Sequence, residues 1–313
     1  MDDGWRNVGK QEHCPICNHT HGCTIGKLVV KCRRKESNRQ CPDGCWLHPI
    51  PSMIISSPII IPPRKKRVPD SVLAEKFTPI ALHAHYAGKS RLPQLATQLG
   101  VATSALEALC AGWAEIDSRW AWTFPERNAK GEITGISLRL ETPLNDGKGK
   151  LCAKGSRRAL VYSPGWWLGD GIVALVEGAS DVAAAYTLGV SAIGRPSNIG
   201  GIAMLAAILK RHAPKRRIVV IGENDRKSEL HLQQLTPPHD PKCRACPRCH
   251  PGRYGAEQTA RQLQERLHRH ISVIYPPLPY KDLRSFLNAQ NLDLADTVAC
   301  RLAGESLRQG RFP

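Results

Sequence analysis

Acidic side chains follow two apolar runs of the sequence, at the points where buried strands would end. GIVALVEG closes on Glu177, and RRIVVIGEND closes on Glu223 and Asp225. Asp181 comes one helical turn after the first run, and Asp282 follows the later apolar run ISVIYPP. Carboxylates that meet at one edge of a sheet can share Mg²⁺, which prefers oxygen ligands and keeps several waters for phosphate groups. The sequence therefore predicts a divalent-metal site. Its expected catalytic residues are Glu177, Glu223 and Asp225, with Asp181 and Asp282 as further acids on the metal side.

Each of these acids also has a simpler interpretation, as a solvated loop residue or a helix cap. Asp181 falls early in a predicted helix, where a carboxylate interacts favourably with the helix dipole. The joint placement of the acids favours a shared site over separate surface charges. Convergence of Glu177, Glu223 and Asp225 within metal-sharing distance is the criterion that distinguishes a catalytic protein from a DNA-binding module.

From residue 172 onward, apolar runs alternate with helix-like segments. The runs GIVALVEG, VSAIG, RRIVVIGEND and ISVIYPP are separated by SDVAAAYTLG, IGGIAMLAAILKRHA and GAEQTARQLQERLHRH. A continuous apolar run is typical of a strand buried on both faces, and its alternation with helices predicts a parallel, doubly wound sheet. Ligands of such sheets bind beyond the carboxyl ends of the strands, where the acids fall. The predicted fold class is therefore α/β, with a parallel sheet flanked by helices.

A small basic α+β unit is predicted upstream of the parallel sheet. SRLPQLATQLGV and TSALEALCAGW are typical of two short helices around a turn at Gly100. AWTFPERNAKGEITGISLRLE is typical of two strands joined by the turn Asn128–Gly131. A helix pair with a Gly turn can be a helix-turn-helix DNA reader, but ordinary packing is the commoner explanation.

Composition divides the chain into four segments. Residues 1–50 are rich in Cys and His, and residues 51–70 hold five Pro and the basic run RKKR, which suits an extended linker. Residues 71–170 are the basic α+β unit. Residues 171–313 are the parallel-sheet domain, with a Cys-rich insertion at about 239–250.

The first cysteine cluster lies in HCPICNHTHGCTIGKLVVKC and contains Cys14, Cys17, Cys23 and Cys32. Four thiolates close a tetrahedral structural zinc site, and a Cys-x2-Cys knuckle with a short strand after it is typical of a zinc ribbon. The ligand set has alternatives, because other metal-binding side chains are close in the sequence, and CPDGC can complete a second site or replace Cys23. These side chains are His19, His21, Cys41, Cys45 and His48.

A second cluster, HDPKCRACPRCHPGRYGAE, follows the strand that ends at Glu223. Cys243, Cys246 and Cys249 are each separated by two residues, and His239 or His250 supplies a fourth ligand. Three Cys at this spacing are rarely core residues, so they predict zinc. A metal can hold together a short insertion that has too few apolar residues to fold alone.

The charge balance points to a polyanionic partner. The chain has 44 Lys and Arg against 27 Asp and Glu, a formal net charge of +17. Cationic side chains neutralise phosphates and release counterions, although a soluble basic protein without such a partner is the alternative. No apolar run is long enough to span a membrane, and MDDGWRNVGKQEHC lacks a signal core. We therefore expect a cytoplasmic protein, whose 12 Cys are metal ligands or core residues rather than disulfides.

Three segments together resemble a known family. LVEGASD, then VVIGENDRK, then KDLRSFL resemble the Toprim domain of primases, topoisomerases and related nucleases. In that family a Glu follows the first strand, an Asp-x-Asp pair follows a later strand, and further acids lie downstream. By position, Glu177 matches the Glu and Asp282 a downstream acid. Glu223 and Asp225 match the pair, with Glu223 departing from the usual Asp by an extra methylene.

The resemblance extends upstream of the Toprim segments. FPERNAKGEITGISLRL and KGKLCAKGSRRALVYSP are similar to segments of bacterial-type primases. This implies that residues 71–170 are the basic half of a primase polymerase core, in which cationic side chains face the template or a nucleoside triphosphate. The positions implied for this role, with Lys227 from the Toprim segment, are Arg127, Arg139, Lys150, Lys154, Arg157 and Lys227.

The resemblance implies a DNA primase that makes short RNA primers on single-stranded DNA from nucleoside triphosphates with Mg²⁺ or Mn²⁺. Primases of this type carry an N-terminal zinc ribbon that contacts the template, although Cys32 here has no Cys three residues on. The sequence shows no Gly-x4-Gly-Lys-[Ser/Thr] phosphate loop, so a separate replicative helicase is expected as a partner. The alternatives are a Toprim-type metal-dependent nuclease and a non-catalytic DNA-binding replication protein. The segment FPERNAKGEITGISLRL favours the primase over the nuclease.

Overall fold

The computed structural model divides the chain into two compact units, Met1–Arg67 and Val68–Pro313. The predicted linker at 51–70 lies outside the described residues from 51 to 66. The residues that the structure describes are 5–9, 11–26, 29–41, 44–50, 67–169, 171–234, 239, 243, 246–294 and 296–312.

The first unit is a small antiparallel sheet. Its strands, in spatial order, are β1 (Arg6–Asn7), β2 (Thr24–Ile25), β3 (Val29–Cys32) and β4 (Trp46–Pro49). The buried side chains of this unit include four cysteines and only a few aliphatic residues. A core of this size stabilises a fold weakly, so a bound metal is the expected source of additional stability.

The second unit begins with three helices. They are α1 (Asp70–Gly88), α2 (Leu92–Leu99) and α3 (Thr103–Ala108), with a 3₁₀ turn between the first two. The predicted helix pair around Gly100 is confirmed, and Gly100 ends α2 in the left-handed conformation at φ 64°. Glycine is favoured there because it has no Cβ to clash with the preceding turn.

An antiparallel sheet follows these helices. Its strands, in spatial order, are β5 (Gly112–Ile116), β6 (Arg119–Arg127), β7 (Ile133–Leu140) and β8 (Lys150–Cys152). The predicted strand pair corresponds to β6 and β7. In the turn between them, Oδ1 of Asn128 accepts hydrogen bonds from the backbone N–H groups of Lys130 (2.9 Å) and Glu132 (3.1 Å).

A parallel sheet flanked by helices completes the second unit and confirms the predicted fold class. In spatial order its strands are β10 (Ser191–Arg195), β9 (Val173–Glu177), β11 (Ile218–Ile221) and β12 (Ser272–Ile274), all parallel. The helices are α4 (Gly178–Thr187), α5 (Ile202–His212), α6 (Glu229–Gln233), α7 (Pro251–Leu267), α8 (Leu283–Asn288), α9 (Thr297–Ala303) and α10 (Glu305–Arg308). None of the helices in the described ranges is long and apolar enough to cross a membrane.

The two central strands contribute side chains to both faces of the parallel sheet. In β9, Ala174 and Val176 join the core on the α4 and α8 side, and Val173 and Leu175 join the core on the α5 and α7 side. Alternation of this kind follows from the two-residue period of a strand. Because β9 and β11 are adjacent and parallel, the acids that follow them emerge at the same edge of the sheet.

Candidate metal centre and cationic cleft

Three carboxylates converge at the carboxyl edge of the parallel sheet. Asp181 lies in the first turn of α4, Glu223 follows β11, and Asp282 is the N-cap residue of α8. One carboxylate oxygen from each lies within 4.8 Å of the other two. This spacing lets three oxygens face one hard divalent cation, the chemistry that Mg²⁺ and Mn²⁺ prefer.

Each of the three carboxylates is held by a further contact. Oδ1 of Asp181 accepts a hydrogen bond from the backbone N–H of Arg284 at 3.1 Å. Oδ1 of Asp282 accepts one from the backbone N–H of Ser285 at 2.8 Å, which caps α8. Nζ of Lys281 lies 3.4 Å from Oε2 of Glu223. Asp282 is therefore a helix cap and a member of the acidic group at once.

Burial and the charges of neighbouring acids raise the pKa values of two members of this group, Asp181 and Glu223. Burial, followed by the charges of Asp282 and Glu223, raises the pKa of Asp181 to about 8. Burial and then the charge of Glu177 raise the pKa of Glu223. The cationic Lys281 offsets part of this cost, and Glu223 in turn raises the pKa of Lys281. A divalent cation would relieve the remaining repulsion, so the donor set fits such an ion.

Glu177 lies at the end of β9, beside this group but not among the three carboxylates within 4.8 Å. Its Oε2 is buried and has no hydrogen-bond partner among the described residues. Burial raises the pKa of Glu177, the charge of Arg195 lowers it, and the charge of Asp225 raises it again. A buried carboxylate oxygen without a donor is costly, and a cation or a substrate N–H or O–H group would satisfy it.

Asp225 faces the start of α7 instead of the three converging acids. Its Oδ1 accepts a hydrogen bond of 2.8 Å from the backbone N–H of Gly252. The partial positive charge of a helix N-terminus favours a carboxylate at this place. The trio expected from the sequence is thus split: Glu223 lies in the acidic group, whereas Glu177 and Asp225 do not. The criterion of a shared site for Glu177, Glu223 and Asp225 is therefore not met, and the carboxylates that converge are instead those of Asp181, Glu223 and Asp282.

Arg195 is a functional candidate that the sequence argument missed. It ends β10 directly opposite Glu177 in the parallel register, and only 1% of its surface is exposed. Its guanidinium donates to Oγ1 of Thr259 (3.0 Å) and to the carbonyl oxygens of Asn198 and Gly255, while Nη2 has no partner among the described residues. The rule that ligands bind at strand ends would have found this residue if it had been applied to cations as well as acids.

A cationic cleft runs beside the acidic edge. One cavity of about 600 Å³ is lined by Arg91, Arg139, Lys148 and Lys150, and by the rings of Trp113 and Trp122. A second cavity, of about 230 Å³, shares Arg139 and Lys150 and reaches Gly178–Ser180 at the start of α4. Arg139 and Lys150 therefore line both cavities, and the smaller one reaches Gly178, the residue after Glu177.

The structure distributes the basic residues predicted from the sequence unevenly. Arg139 and Lys150 line the cleft. Arg157 forms an ion pair with Asp70, and Arg127 donates to a carbonyl oxygen of the β6–β7 turn at 3.3 Å. The other two, Lys154 and Lys227, are exposed and do not line either cavity.

Two further cations of the cleft, Arg91 and Arg158, were not among the basic site residues predicted from the sequence. The guanidinium of Arg91 lies 4.1 Å from the ring centroid of Trp113, a cation–π contact. Arg158 lines the smaller cavity, and its Nε lies 2.8 Å from Oε1 of the buried Glu126. Arg158 is adjacent to Arg157 in the sequence, yet Arg157 pairs with Asp70 whereas Arg158 lines the cleft.

The first cysteine cluster has the geometry of a tetrahedral metal site. The sulfur atoms of Cys14, Cys17, Cys23 and Cys32 all lie within 4.8 Å of one another. Sulfurs of Cys17 and Cys23 are 3.7 Å apart, and Zn–S bonds of about 2.3 Å in a tetrahedron place sulfurs about 3.8 Å apart. The nearby His19 directs Nδ1 to the carbonyl oxygen of Cys17 at 2.8 Å. These four thiols therefore form a group that can bind zinc.

The second cluster also converges. The side-chain ligand atoms of His239, Cys243, Cys246 and Cys249 lie within 4.8 Å of one another. The sequence left the fourth ligand open between two histidines, and the structure groups His239 with the three thiols. The Nδ1 of the other candidate, His250, lies 3.1 Å from the sulfur of Cys249.

Several solved structures are similar to this fold at low sequence identity. One is a DnaG primase catalytic domain bound to single-stranded DNA, with 12% identity, a TM-score of 0.48 and coverage of 77% of this chain and 78% of that chain. Another is the RNA polymerase domain of the Mycobacterium tuberculosis primase DnaG, with 15% identity, a TM-score of 0.48 and coverage of 73% and 83%. A third is the primase fragment of the bacteriophage T7 primase-helicase protein, with 17% identity, a TM-score of 0.40 and coverage of 64% and 72%.

These structural neighbours are of the class that the sequence motifs resemble. No protein-family model and no curated protein matches the sequence.

Proposed function

We propose that this protein is a DNA primase, a nucleotidyltransferase that joins ribonucleotides into short primers on single-stranded DNA with Mg²⁺ or Mn²⁺. The observation that carries the proposal is the convergence of Asp181, Glu223 and Asp282. A cavity lined by Arg139 and Lys150 reaches the start of α4, the helix on which Asp181 lies. Carboxylates that collect a divalent cation and side chains that bind phosphates are the two requirements of phosphoryl transfer.

The acidic group is the proposed metal centre. Asp181, Glu223 and Asp282 would hold the ion, and Glu177 offers the orphaned Oε2 beside them. A bound divalent cation supplies charge neutralisation at a triphosphate and at the attacking oxygen. Asp181 is held by a hydrogen bond from the α8 backbone, and Glu223 is held by Lys281. These contacts would fix the position of the bound ion.

The cleft is the proposed path of the template and the nucleotide. Arg139 and Lys150 line both of its cavities, including the one that reaches the start of α4. These two side chains would bind the phosphates of a nucleotide or template that lies nearest the acids. Arg195, buried at the strand end, offers a fixed positive charge with an unpartnered Nη2. Pre-positioned cations of this kind stabilise the charge that develops during phosphoryl transfer without having to reorganise.

The first unit is proposed to be a zinc ribbon that contacts the template. Its four converging thiols supply the zinc ligands, and its Lys and Arg residues suit a phosphate backbone. The division into ribbon, linker, basic unit and Toprim-type domain, and the separate helicase partner, remain predictions of the sequence.

Primer synthesis on single-stranded DNA tests the proposal. The full chain is incubated with labelled ribonucleoside triphosphates and Mg²⁺ or Mn²⁺, and products are resolved by length. Glu223→Gln and Asp282→Asn should each reduce synthesis at least a hundredfold, because each removes a metal-facing charge. Glu75→Gln changes an exposed carboxylate of α1 and should leave synthesis unchanged.

The outcomes separate the three functions that the sequence allows. Synthesis that depends on both acids supports the primase. DNA cleavage without synthesis identifies a metal-dependent nuclease. Binding of single-stranded DNA with neither reaction identifies a non-catalytic protein, and full synthesis by both acid variants overturns the assignment of the metal centre.

A further inference from the structure

The second cysteine cluster ends at the start of α7. Cys249 immediately precedes His250, the N-cap residue of this helix. The segment from 226 to 250 contributes only Leu232 and Cys249 to the buried apolar residues among its described positions. At these described positions apolar burial is small, so a bound metal would add to what holds them in place.

The spacing of the four ligand atoms fits one tetrahedral ion. Sulfurs are 3.7 Å apart for Cys243 and Cys249, and 3.3 Å apart for Cys246 and Cys249. The Nε2 of His239 lies 3.3 Å from the sulfur of Cys246. Tetrahedral zinc places sulfurs about 3.8 Å apart and sulfur and nitrogen about 3.6 Å apart. All three cysteines are free thiols, so no disulfide joins them.

Backbone hydrogen bonds join this cluster to the acidic loop. The N–H of Lys227 donates to the carbonyl oxygen of Cys249 at 2.8 Å. Lys227 is two residues beyond Asp225 and precedes the Cys-rich insertion. This hydrogen bond therefore joins the acidic loop to the last cysteine of the cluster. The N–H of His250 donates to the carbonyl oxygen of Cys246 at 3.0 Å, which orients the first residues of α7.

The first turn of α7 in turn holds the acidic loop. Gly252 donates its N–H to Oδ1 of Asp225 at 2.8 Å, and Arg253 donates from Nη2 to Oδ1 of Asn224 at 2.9 Å. A Cβ added at Gly252 would lie 2.9 Å from both Asp225 Oδ1 and Glu223 Cβ. The helix start and the loop therefore approach each other too closely for any residue but glycine.

We propose that His239, Cys243, Cys246 and Cys249 bind a second zinc ion, and that this ion positions the Glu223–Asp225 loop of the metal centre through the start of α7. The zinc ion acts as a clamp. It holds Cys249, which leads directly into α7, and the N–H of Gly252 in the first turn of α7 holds Asp225 in the loop. The positioning role rests on the proposed function of the acidic group, whereas the zinc site itself does not.

Zinc content of the full-length protein tests the site. The wild-type chain should carry two zinc ions, measured by elemental analysis after extensive dialysis. Cys243→Ser and Cys246→Ser should each carry one. Cys300→Ser changes a buried thiol in α9, outside both clusters, and should retain two. A wild-type content that Cys243→Ser and Cys246→Ser leave unchanged overturns the second site.

Mn²⁺ binding to the acidic centre tests the clamp. Mn²⁺ titration followed by electron paramagnetic resonance should show affinity about tenfold weaker in Cys246→Ser than in Cys300→Ser, the usual scale for losing a supporting shell. Hydrogen exchange at residues 223–227 should accelerate in the same variant. Unchanged affinity and unchanged exchange in a variant that has lost its zinc overturn the positioning role.

Gly252→Ala separates loss of the clamp from loss of the fold. This variant keeps all four zinc ligands and should therefore retain two zinc ions. Its Mn²⁺ affinity should still fall, because the added Cβ pushes the loop away from α7. Normal Mn²⁺ affinity in Gly252→Ala contradicts the proposed route. If the wild-type chain binds zinc twice but no Mn²⁺, the proposed function fails while the second zinc site stands.

Discussion

Arg195 and Glu177 end neighbouring parallel strands directly opposite each other, and both charges are largely shielded from water. Burial lowers the pKa of Arg195, and the charge of Glu177 opposes that effect. The guanidinium donates to Thr259 and to three carbonyl oxygens, so it acts on Glu177 through its charge and not through a hydrogen bond. Oε2 of Glu177 is buried and has no hydrogen-bond partner among the described residues.

The first prediction concerns this unsatisfied carboxylate. Glu177→Gln should raise the free energy of unfolding of the metal-free protein at pH 8, because burial raises the pKa of Glu177 and the ionised form is therefore disfavoured in the fold. The stabilisation that Mg²⁺ provides should shrink in the same variant. Urea unfolding with and without Mg²⁺ measures both, with Glu75→Gln as the exposed control. A lower stability in the absence of metal contradicts this prediction.

The second prediction is a pH dependence of metal binding. The pKa of Asp181 is about 8, so this carboxyl must lose a proton before it can hold a cation. Mg²⁺ affinity should rise with pH, by up to tenfold per unit, and should level off above about 8. Calorimetric titration between pH 6.5 and 8.5 measures the slope, which Asp181→Asn should flatten as it weakens binding.

The same group also gives the metal-free protein a defined pH profile of stability. A carboxyl whose folded pKa is raised binds its proton more tightly in the native state than in the unfolded chain. Its contribution is therefore fully present below the unfolded value of 3.8 and is lost as the pH rises towards about 8. Thermal unfolding in the presence of a chelator should show stability declining as the pH rises over this range. Added Mg²⁺ should increase stability most near pH 8, where Asp181 is ionised.

The parallel sheet was predictable because its strands are buried on both faces. β9 and β11 are continuous apolar runs, and adjacent turn residues mark their ends. Helix α1 was missed, although Leu73, Phe77, Ala81 and Ala84 give it a buried stripe at helical spacing. The Pro-rich segment before it and Pro79 within it resemble the signals that end a helix, and only tertiary packing overrides them.

The candidate site was predictable in composition but not in grouping. The strand-end rule predicted acids after β9 and β11 from chain order alone, and of these Glu223 lies in the acidic group. Whether Asp225 or Asp282 completes the group depends on the residues at which α7 and α8 begin. Hydrophobic periodicity in the sequence does not determine those residues. Asp225 is captured by the amide of Gly252, whereas capping of α8 brings Asp282 beside Asp181.

The third prediction concerns the cleft. Arg139→Gln and Lys150→Gln should weaken binding of single-stranded DNA and reduce the slope of log affinity against log salt by about 0.7 for each lost phosphate contact. Lys210→Gln removes an exposed charge from α5, which does not line the cleft, and should change the slope little. Fluorescence anisotropy at several salt concentrations measures the slopes. Equal slopes for all three variants would place the DNA elsewhere.

The fourth prediction separates the two units through the first zinc site. Cys32 is fully buried, and its thiol belongs to the group of four. Cys32→Ser should release one zinc ion and unfold the first unit, because its apolar core is small and zinc binding contributes on the order of 10 kcal/mol to such folds. The second unit, with its own extensive cores, should stay folded.

Limited proteolysis with mass spectrometry checks this outcome on the full chain. Cleavage in Cys32→Ser should concentrate before residue 68 and leave a resistant fragment that begins near the boundary of the second unit. That fragment should still bind Mg²⁺, since the acidic group lies wholly within Val68–Pro313. Primer synthesis should fall by a larger factor than Mg²⁺ affinity if the first unit contacts the template. An intact first unit after loss of zinc would show that its apolar core suffices without the metal.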